Sequence, residues 1–334
     1  MRCRRTFSFR MPASLAATPC RWASLMATPL TLTLSTYQRN SQTSGTQSFS
    51  LQPMHVQSPS CGRKETRLKL VSDLLILGAA IIKGVPKEQG LCERFAKNLS
   101  TLRDTEWGSW FDIRTKPTTK MRDLAFTPRG IGFHTDQTWR DPTPDFQLLH
   151  ALEHCSCPGE APCEECSVMN SLADGYWIAE QLRRENLDYY DVLSSVSVRF
   201  ENHGGDNESA LVYISPHLEL DLTPSEDGKK ALKAVRFSVK SGQYAPPMDA
   251  RTSAKFFQAR RRFYELMYEP QHHAKVQLKA GEMVAFDNRR ILHSRTQILP
   301  TDGERWMQGT YFDRDGLWLT FERLRRRVAK SVVH

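Results

Sequence analysis

The sequence lacks any hydrophobic run long enough to cross a membrane. A spanning helix needs roughly 18 or more consecutive apolar residues, whereas the longest apolar run, residues 74–82, is far shorter. Glycine and proline are also scarce, with 18 residues of each among 334, which excludes a fibrous or low-complexity chain. A hydrophobic fraction of 40% and an aromatic fraction of 10% instead predict a globular protein with a full core.

Acidic residues are missing from the first 64 positions. This segment is rich in Ser, Thr and Arg, and residues 1–66 carry eight basic side chains against the single Glu65. Such a composition is typical of a mitochondrial transit segment. The alternative is a disordered tail that carries no address, in a cytoplasmic protein. We predict a disordered leader over residues 1–66, with a mitochondrial address favoured, and a folded domain over residues 67–334.

The rest of the chain is nearly neutral, because the 268 residues after the leader carry a net charge of only +2. A neutral domain is not expected to bind a nucleic-acid backbone. The remaining basic cluster, residues 323–327, is interpreted as the polar face of a terminal helix. We therefore expect a small-molecule partner and no nucleic acid.

Short hydrophobic runs separated by turns dominate the chain from Trp107 onward. Helical periodicity occurs at 91–102, 173–185 and 254–268, and strand patterns occur at 147–152, 196–200, 211–214, 275–278, 283–286 and 306–311. Short strands with long connections and a few helices predict a mainly β fold with flanking helices. Its expected core is a double-stranded β-helix, the jelly roll of cupin-like proteins.

Three residues form a candidate metal site. His134 and Asp136 lie two apart in a predicted strand, so their side chains project to the same side. His293 follows a later buried strand and its turn. Two histidines and one carboxylate occupy one face of a ferrous ion and leave three positions open, where a 2-oxo acid and dioxygen can bind. Arg305, one strand beyond His293, is placed to pair with the distal carboxylate of that acid.

Further motifs surround these residues in a specific order, at 124–127, 133–136, 146–150, 174–176, 193–195, 286–293 and 309–311. Over residues 75–328 the chain resembles the taurine dioxygenase superfamily of Fe(II)/2-oxoglutarate-dependent oxygenases. Within that superfamily it is most similar to the γ-butyrobetaine and trimethyllysine dioxygenases of carnitine biosynthesis. The resemblance implies an oxidoreductase that hydroxylates a small trimethylammonium amino acid or betaine. Fe(II) would be the cofactor, 2-oxoglutarate and O2 the co-substrates, and succinate and CO2 the products.

The resemblance also implies roles for individual residues. It makes His134, Asp136 and His293 the iron ligands and catalytic centre, and Arg305 the anchor of 2-oxoglutarate, with Leu149 lining that pocket. For substrate binding it implies Trp107, Phe111, Asp123, Phe126 and Tyr311. A quaternary cation binds well against aromatic faces, so the four rings among them would form a cage. The alternative is that these rings belong to the core.

Two positions depart from the family pattern. Asp123, with Arg122 before it, replaces a usual Asn pair, and Gln137 stands where an aromatic residue commonly follows the His-x-Asp motif. These departures favour a second hypothesis, the same oxygenase chemistry on an unrelated secondary metabolite. A third hypothesis, a non-catalytic binding protein, is disfavoured because a scaffold has no physical reason to keep the three ligands and Arg305. The sequence leaves a homodimer open.

Four of the eight cysteines lie in an insertion at residues 155–166. Cys155, Cys157, Cys163 and Cys166 have spacings that could close a tetrahedral structural zinc site. The alternative is a plain loop with free thiols. Zinc as a second metal is therefore one of two alternatives that the sequence leaves open for this insertion.

Overall fold

The computed structural model of the protein describes residues 63–114, 124–154, 168–203, 210–224, 230–239, 241–299 and 305–333. In chain order its helices and strands are α1 (Arg63–Ile76), β1 (Ala79–Ile82), α2 (Leu91–Leu99), β2 (Leu102–Arg103), β3 (Phe111–Arg114), β4 (Ile131–His134), β5 (Phe146–Glu153), β6 (Asn170–Asp174), α3 (Gly175–Glu185), α4 (Leu187–Ser195), β7 (Val198–His203), β8 (Ala210–Ser215), β9 (Leu218–Leu220), β10 (Leu232–Val235), β11 (Gly242–Tyr244), α5 (Ala250–Tyr268), β12 (His273–Val276), β13 (Glu282–Asp287), β14 (Ile291–Arg295), β15 (Trp306–Phe312) and α6 (Arg314–Val333). The predicted leader up to residue 62 lies outside the described residues. Helix α1 begins at Arg63, so the last four residues assigned to the leader are helical.

Two antiparallel sheets face each other and form the centre of the domain. The larger sheet has the order β1-β13-β5-β15-β2, with β3 also pairing with β15, and the smaller has the order β12-β6-β14-β4. Their facing sides share one core, in which Val284 and Phe286 of the larger sheet pack with Leu172 and Ile291 of the smaller. Strands distant in sequence therefore lie side by side, as the predicted mainly β, double-sheet fold requires.

Helices cover the outer faces of both sheets. Helices α1, α2 and α6 pack their apolar sides, including Leu74 and Ala96, on Phe146 and Phe312 of the larger sheet. Helices α3, α4 and α5 pack with the smaller sheet through residues such as Phe263. None of the helices in the described ranges is long and apolar enough to span a membrane. The basic cluster lies on α6, where Leu324 and Val328 are buried between exposed arginines, as expected for a terminal helix.

Capping side chains set where the helices begin. The helix predicted from residue 173 starts at Gly175, because Asp174 ends β6 and its carboxylate accepts hydrogen bonds from the backbone N–H groups of Tyr176 and Trp177. The helix predicted from residue 254 starts at residue 250, because Asp249 caps it in the same way. Helix α4 was not predicted from the sequence. Asn186 caps its first turn, which makes it a separate short helix.

Candidate active site

The two predicted histidine ligands meet across a pair of strands of the smaller sheet. His134 ends β4 and lies directly opposite His293 of β14, and their ring centroids are 4.1 Å apart. Asp136 lies two residues beyond β4, with Oδ1 3.4 Å from Nε2 of His134 and Oδ2 3.8 Å from Nε2 of His293. One donor atom from each residue lies within 4.8 Å of the other two. This arrangement could hold one metal ion.

Neighbouring groups orient two of these side chains. The ring of His134 lies with Nδ1 2.8 Å from the carbonyl oxygen of Gly132. Because a carbonyl only accepts, Nδ1 is the donor in this contact, and Nε2 is the ring nitrogen on the side of Asp136. Tyr311 of β15 donates its hydroxyl to Oδ2 of Asp136 at 2.8 Å. The carboxylate is thus oriented by a residue of the opposite sheet.

Asn288 fixes the backbone of Asp136 and was not identified from the sequence. Its side-chain oxygen accepts from the N–H of Asp136 at 2.7 Å, and its Nδ2 donates to the carbonyl of Asp136 at 3.0 Å and to that of Pro144 at 3.2 Å. The residue is fully buried in the turn after β13. Its position in the 286–293 motif was visible in the sequence, but its partners are more than 140 residues away in the chain.

Arg305 is a buried cation just before β15, only 7% exposed. Burial, and secondarily the nearby Arg295, lowers the pKa of its guanidinium to about 9. No carboxylate of the described residues forms an ion pair with it, and its Nε has no hydrogen-bond partner there. Arg295 differs because its guanidinium donates to the backbone carbonyls of Ala125, Thr127 and Arg129. The pocket therefore contains one guanidinium that is suited to an anionic ligand.

The structure brings all but one of the predicted oxygenase-site residues to a single pocket. Its lining includes His134, Asp136, His293, Arg305, Leu149, Trp107, Phe111, Phe126 and Tyr311. Asp123, together with Arg122, lies outside the described residues, as do Cys155, Cys157, Cys163 and Cys166, so the zinc site stays a prediction. The lining also includes Gln137, Trp139 and Gln147, none of which was assigned a role from the sequence.

Three of the predicted cage residues form an aromatic row, which consists of Trp107, Phe111 and Tyr311. The ring centroids of Trp107 and Phe111 are 6.1 Å apart, and those of Phe111 and Tyr311 are 5.5 Å apart. Gly309 makes room for this row, because a Cβ at that position would lie 2.4 Å from Cζ of Phe111. Trp107 is 37% exposed, whereas Tyr311 is buried, so the row leads from the surface toward Asp136.

Comparisons with known proteins identify relatives of this chain. Residues 45–311 match the family described as Taurine catabolism dioxygenase TauD, TfdA family. The γ-butyrobetaine dioxygenase of Pseudomonas sp. strain AK-1 is 32% identical over 253 residues, which cover 76% of this chain and 61% of that protein. The trimethyllysine dioxygenase of Meyerozyma guilliermondii is 27% identical over 239 residues, covering 71% and 55%. The chain thus spans less than two thirds of the length of each of these relatives.

Solved structures share the fold. An asparagine oxygenase in complex with Fe(II), 2S,3S-3-hydroxyasparagine and succinate aligns with a TM-score of 0.52 and 17% identity, over 74% of this chain and 79% of that one. AAD-2 in complex with Mn(II) and N-oxalylglycine aligns with a TM-score of 0.57 and 11% identity, over 80% and 98%. These likenesses confirm the predicted jelly-roll core. Because the family match covers most of the chain, the protein belongs to the family described as Taurine catabolism dioxygenase TauD, TfdA family.

Proposed function

We propose that the protein is a 2-oxoglutarate-dependent dioxygenase, in which His134, Asp136 and His293 are the Fe(II) ligands and Arg305 anchors 2-oxoglutarate. Membership of the family implies both the metal and the co-substrate. The donor set supports the first assignment, because two imidazoles and one carboxylate within 4.8 Å of one another are the ligand types of a ferrous oxygenase site. The lack of a carboxylate partner for buried Arg305 among the described residues supports the second. Leu149 lines the same pocket.

Iron held by His134, Asp136 and His293 would supply the chemistry by which O2 and 2-oxoglutarate give succinate and CO2 while one oxygen atom enters a C–H bond of the substrate. The chain positions the reactants. Tyr311 and Asn288 hold Asp136, and the hydrogen bond of His134 Nδ1 orients the ring with Nε2 near Asp136, where it would be available to the ion. The mostly apolar pocket lining would limit the access of water to the reacting groups.

Asp136→Ala tests the ligand assignment directly. Loss of the carboxylate leaves two imidazoles, so Fe(II) binding and 2-oxoglutarate decarboxylation should both be abolished. The exposed Asp188, which pairs with Lys255, offers a matched control in Asp188→Ala. Equal melting temperatures for the two variants would exclude unfolding as the cause. Full activity in Asp136→Ala would overturn the assignment.

The substrate is proposed to be a small trimethylammonium compound of the betaine or amino-acid type. The aromatic row carries this proposal, since ring faces attract a cation that cannot donate hydrogen bonds. Among the described lining residues, Asp136 is the only carboxylate, and it is assigned to the metal. Relatives named γ-butyrobetaine dioxygenase and trimethyllysine dioxygenase support the same substrate class.

A charge-matched pair of compounds tests the substrate class. The tert-butyl analogue of a trimethylammonium substrate has the same shape but no charge. A desolvated cation on aromatic faces gains on the order of 2 kcal/mol, so kcat/KM should be at least about tenfold higher for the charged compound. Trp107→Ala should remove most of this preference, whereas Trp177→Ala, at a tryptophan that contacts Arg184 outside the pocket, should leave it unchanged.

Equal kcat/KM values for the two compounds would favour the alternative, oxidation of an unrelated secondary metabolite. Dioxygenase str8 of Strobilurus tenacellus is 27% identical over 272 residues. A relative whose name gives neither γ-butyrobetaine nor trimethyllysine is therefore as similar in sequence as the Meyerozyma guilliermondii trimethyllysine dioxygenase. In that case the rings of the aromatic row would be part of the core. The mitochondrial address and a homodimer remain predictions, although trimethyllysine dioxygenases named as mitochondrial, such as that of Bos taurus, are among the relatives.

A further inference from the structure

The pocket contains buried polar groups that lack a hydrogen-bond partner among the described residues. They are both amide atoms of Gln137, Oε1 of Gln147 and the indole Nε1 of Trp139. These three residues, the amide–indole cluster, are 1%, 2% and 6% exposed and line the pocket. Buried polar groups in folded proteins are almost always hydrogen-bonded. The amide–indole cluster therefore indicates where a polar part of a ligand binds.

The amide–indole cluster lies beside the proposed iron ligands. Gln137 directly follows Asp136, and Gln147 of β5 is flanked in the sheet by Phe286 of β13 and Tyr311 of β15. Cross-strand neighbours project to the same face. Tyr311 bonds Asp136, and the ring of Phe286 lies 4.8 Å from that of His293. Gln147 thus points toward the same centre as Gln137.

Contacts with neighbouring residues fix the backbone on which Gln137 lies. Gln137 has a φ of 55°, a left-handed conformation that non-glycine residues rarely adopt and that is found at functional sites. Buried Arg236 fixes the following turn, since its Nη1 donates to the carbonyls of Thr138 and Arg140 at 2.9 and 2.8 Å. Glu219 in turn accepts from Nε of Arg236 at 3.0 Å. The turn that carries Gln137 and Trp139 is therefore fixed by buried Arg236, which pairs with the half-buried Glu219.

We propose that the amide–indole cluster binds an α-amino-acid head group, so that the substrate is a trimethylammonium amino acid rather than a simple betaine. This inference rests on the proposed function and specifies its substrate. The amide oxygens of Gln137 and Gln147 would accept from the α-ammonium group. Nε2 of Gln137 and the indole N–H of Trp139 would donate to the α-carboxylate. Every unpartnered group of the cluster then has a partner.

A substrate with a carboxylate alone satisfies the cluster less well. A carboxylate is an acceptor only, so with the two amides oriented as in the structure it would pair with the two donors and leave two amide oxygens facing negative oxygen atoms. An α-ammonium group removes that conflict, because it supplies donors to both amide oxygens. The cluster itself carries no charge, so it selects by the number and direction of hydrogen bonds. Discrimination should therefore depend on the α-amino group.

The test uses a pair of compounds that differ only in that group, trimethyllysine and its des-amino analogue trimethylammoniohexanoate. Binding to protein loaded with Mn(II) and 2-oxoglutarate is measured by calorimetry, and 2-oxoglutarate turnover is measured with the Fe(II)-loaded protein. A hydrogen-bonded charged group left without its partner shifts affinity by about tenfold or more. Trimethyllysine should accordingly bind at least about tenfold more tightly than the analogue.

Three variants locate the discrimination in the cluster. Gln147→Leu and Trp139→Phe remove the polar groups while keeping an apolar and an aromatic side chain, and Gln137→Asn shortens the amide while keeping a residue that tolerates positive φ. Each should lower the affinity ratio of the two compounds, with Gln147→Leu bringing it to about threefold or less. Gln258→Leu, at an exposed position of α5 that contacts Tyr189, should leave the ratio unchanged.

Equal wild-type affinity for the two compounds, failure of both to bind, or a ratio that no cluster variant alters would overturn the inference. The tert-butyl analogues of both compounds separate this outcome from failure of the proposed function. If the tert-butyl analogue with the α-amino group still binds more tightly than the one without it, the head-group role of the amide–indole cluster is supported, even if the protein shows no preference for a cation. A preference for the cation without any α-amino preference supports only the proposed function.

Discussion

At the scale of single residues, Arg305 offers the sharpest test of co-substrate binding. Arg305→Ala removes a buried charged partner, a loss of roughly 2–5 kcal/mol, so affinity for 2-oxoglutarate should fall by more than tenfold. Lys keeps the charge but not the two parallel hydrogen bonds, so Arg305→Lys should keep only part of the affinity for 2-oxoglutarate. Calorimetric titration of the Mn(II)-loaded protein checks both variants. Arg261→Ala, at an exposed residue paired with Glu265, is the control. Unchanged affinity in Arg305→Ala would show that another residue binds the distal carboxylate of 2-oxoglutarate.

The lowered pKa of Arg305 also predicts a pH dependence. In the protein without co-substrate, burial lowers this pKa to about 9, so the guanidinium is charged at pH 7 and loses its proton as pH rises above 9. A bound carboxylate stabilises the charged form and raises the pKa. Affinity for 2-oxoglutarate should therefore fall by about tenfold per pH unit above pH 9, and Arg305→Lys should start this fall at lower pH. Constant affinity up to about pH 10.5 would contradict the prediction.

Tyr311 has two contacts that a single substitution separates. Tyr311→Phe removes the hydroxyl that orients Asp136 at 2.8 Å and keeps the ring that packs with Phe111. Loss of such an outer partner typically costs about 10- to 100-fold in metal affinity. Competition with a chelator should show weaker Fe(II) binding, while the preference for a trimethylammonium compound persists. Equal metal affinity in the variant and the wild type would show that the Tyr311 hydroxyl does not contribute to metal binding.

At the scale of elements, the pairing of β3 with β15 depends on Gly309. Gly309→Ala would place a methyl group 2.4 Å from Cζ of Phe111 and 3.0 Å from Cδ2 of Leu149. We expect displacement of the Phe111 ring, a lower melting temperature and at least about a tenfold loss in kcat/KM. The double variant Gly309→Ala/Phe111→Ala should recover stability without recovering the substrate preference. Recovery of both would show that Phe111 does not contact the substrate.

The elements were predictable where the signal is local. Two-residue periodicity predicted His134 and Asp136 on one side of a strand, but β4 ends at His134 and Asp136 lies in the turn that follows. The buried run before His293 is β13, as predicted. Helix starts were shifted because Asp174 and Asp249 cap them through side chains that hydrophobic periodicity does not register. Asn288 and the hydroxyl of Tyr311 act on Asp136 from more than 150 positions away, so only the folded chain reveals their contacts.

At the scale of the whole molecule, the start of the folded domain is testable by truncation. Helix α1 packs on the larger sheet through Val71 and Leu74, which are fully buried. A chain that starts at Arg63 should keep the melting temperature and the 2-oxoglutarate turnover of the full chain. Leu74→Ala in the same background should cost about 2–5 kcal/mol in the free energy of unfolding, measured in urea. A large loss of stability on truncation would place part of the domain before residue 63.

The division of the site between the two sheets has a thermodynamic consequence. The proposed iron ligands belong to β4, β14 and the residues just after β4, whereas Arg305 and Leu149 belong to the larger sheet and its approach. On this proposal, a co-substrate bound between the ion and Arg305 would bridge the two layers. Docking of the sheets and saturation with 2-oxoglutarate would become one linked equilibrium, in which each favours the other. Bound 2-oxoglutarate would then hold the two sheets together reversibly, and this contact would be lost at every turnover when succinate leaves.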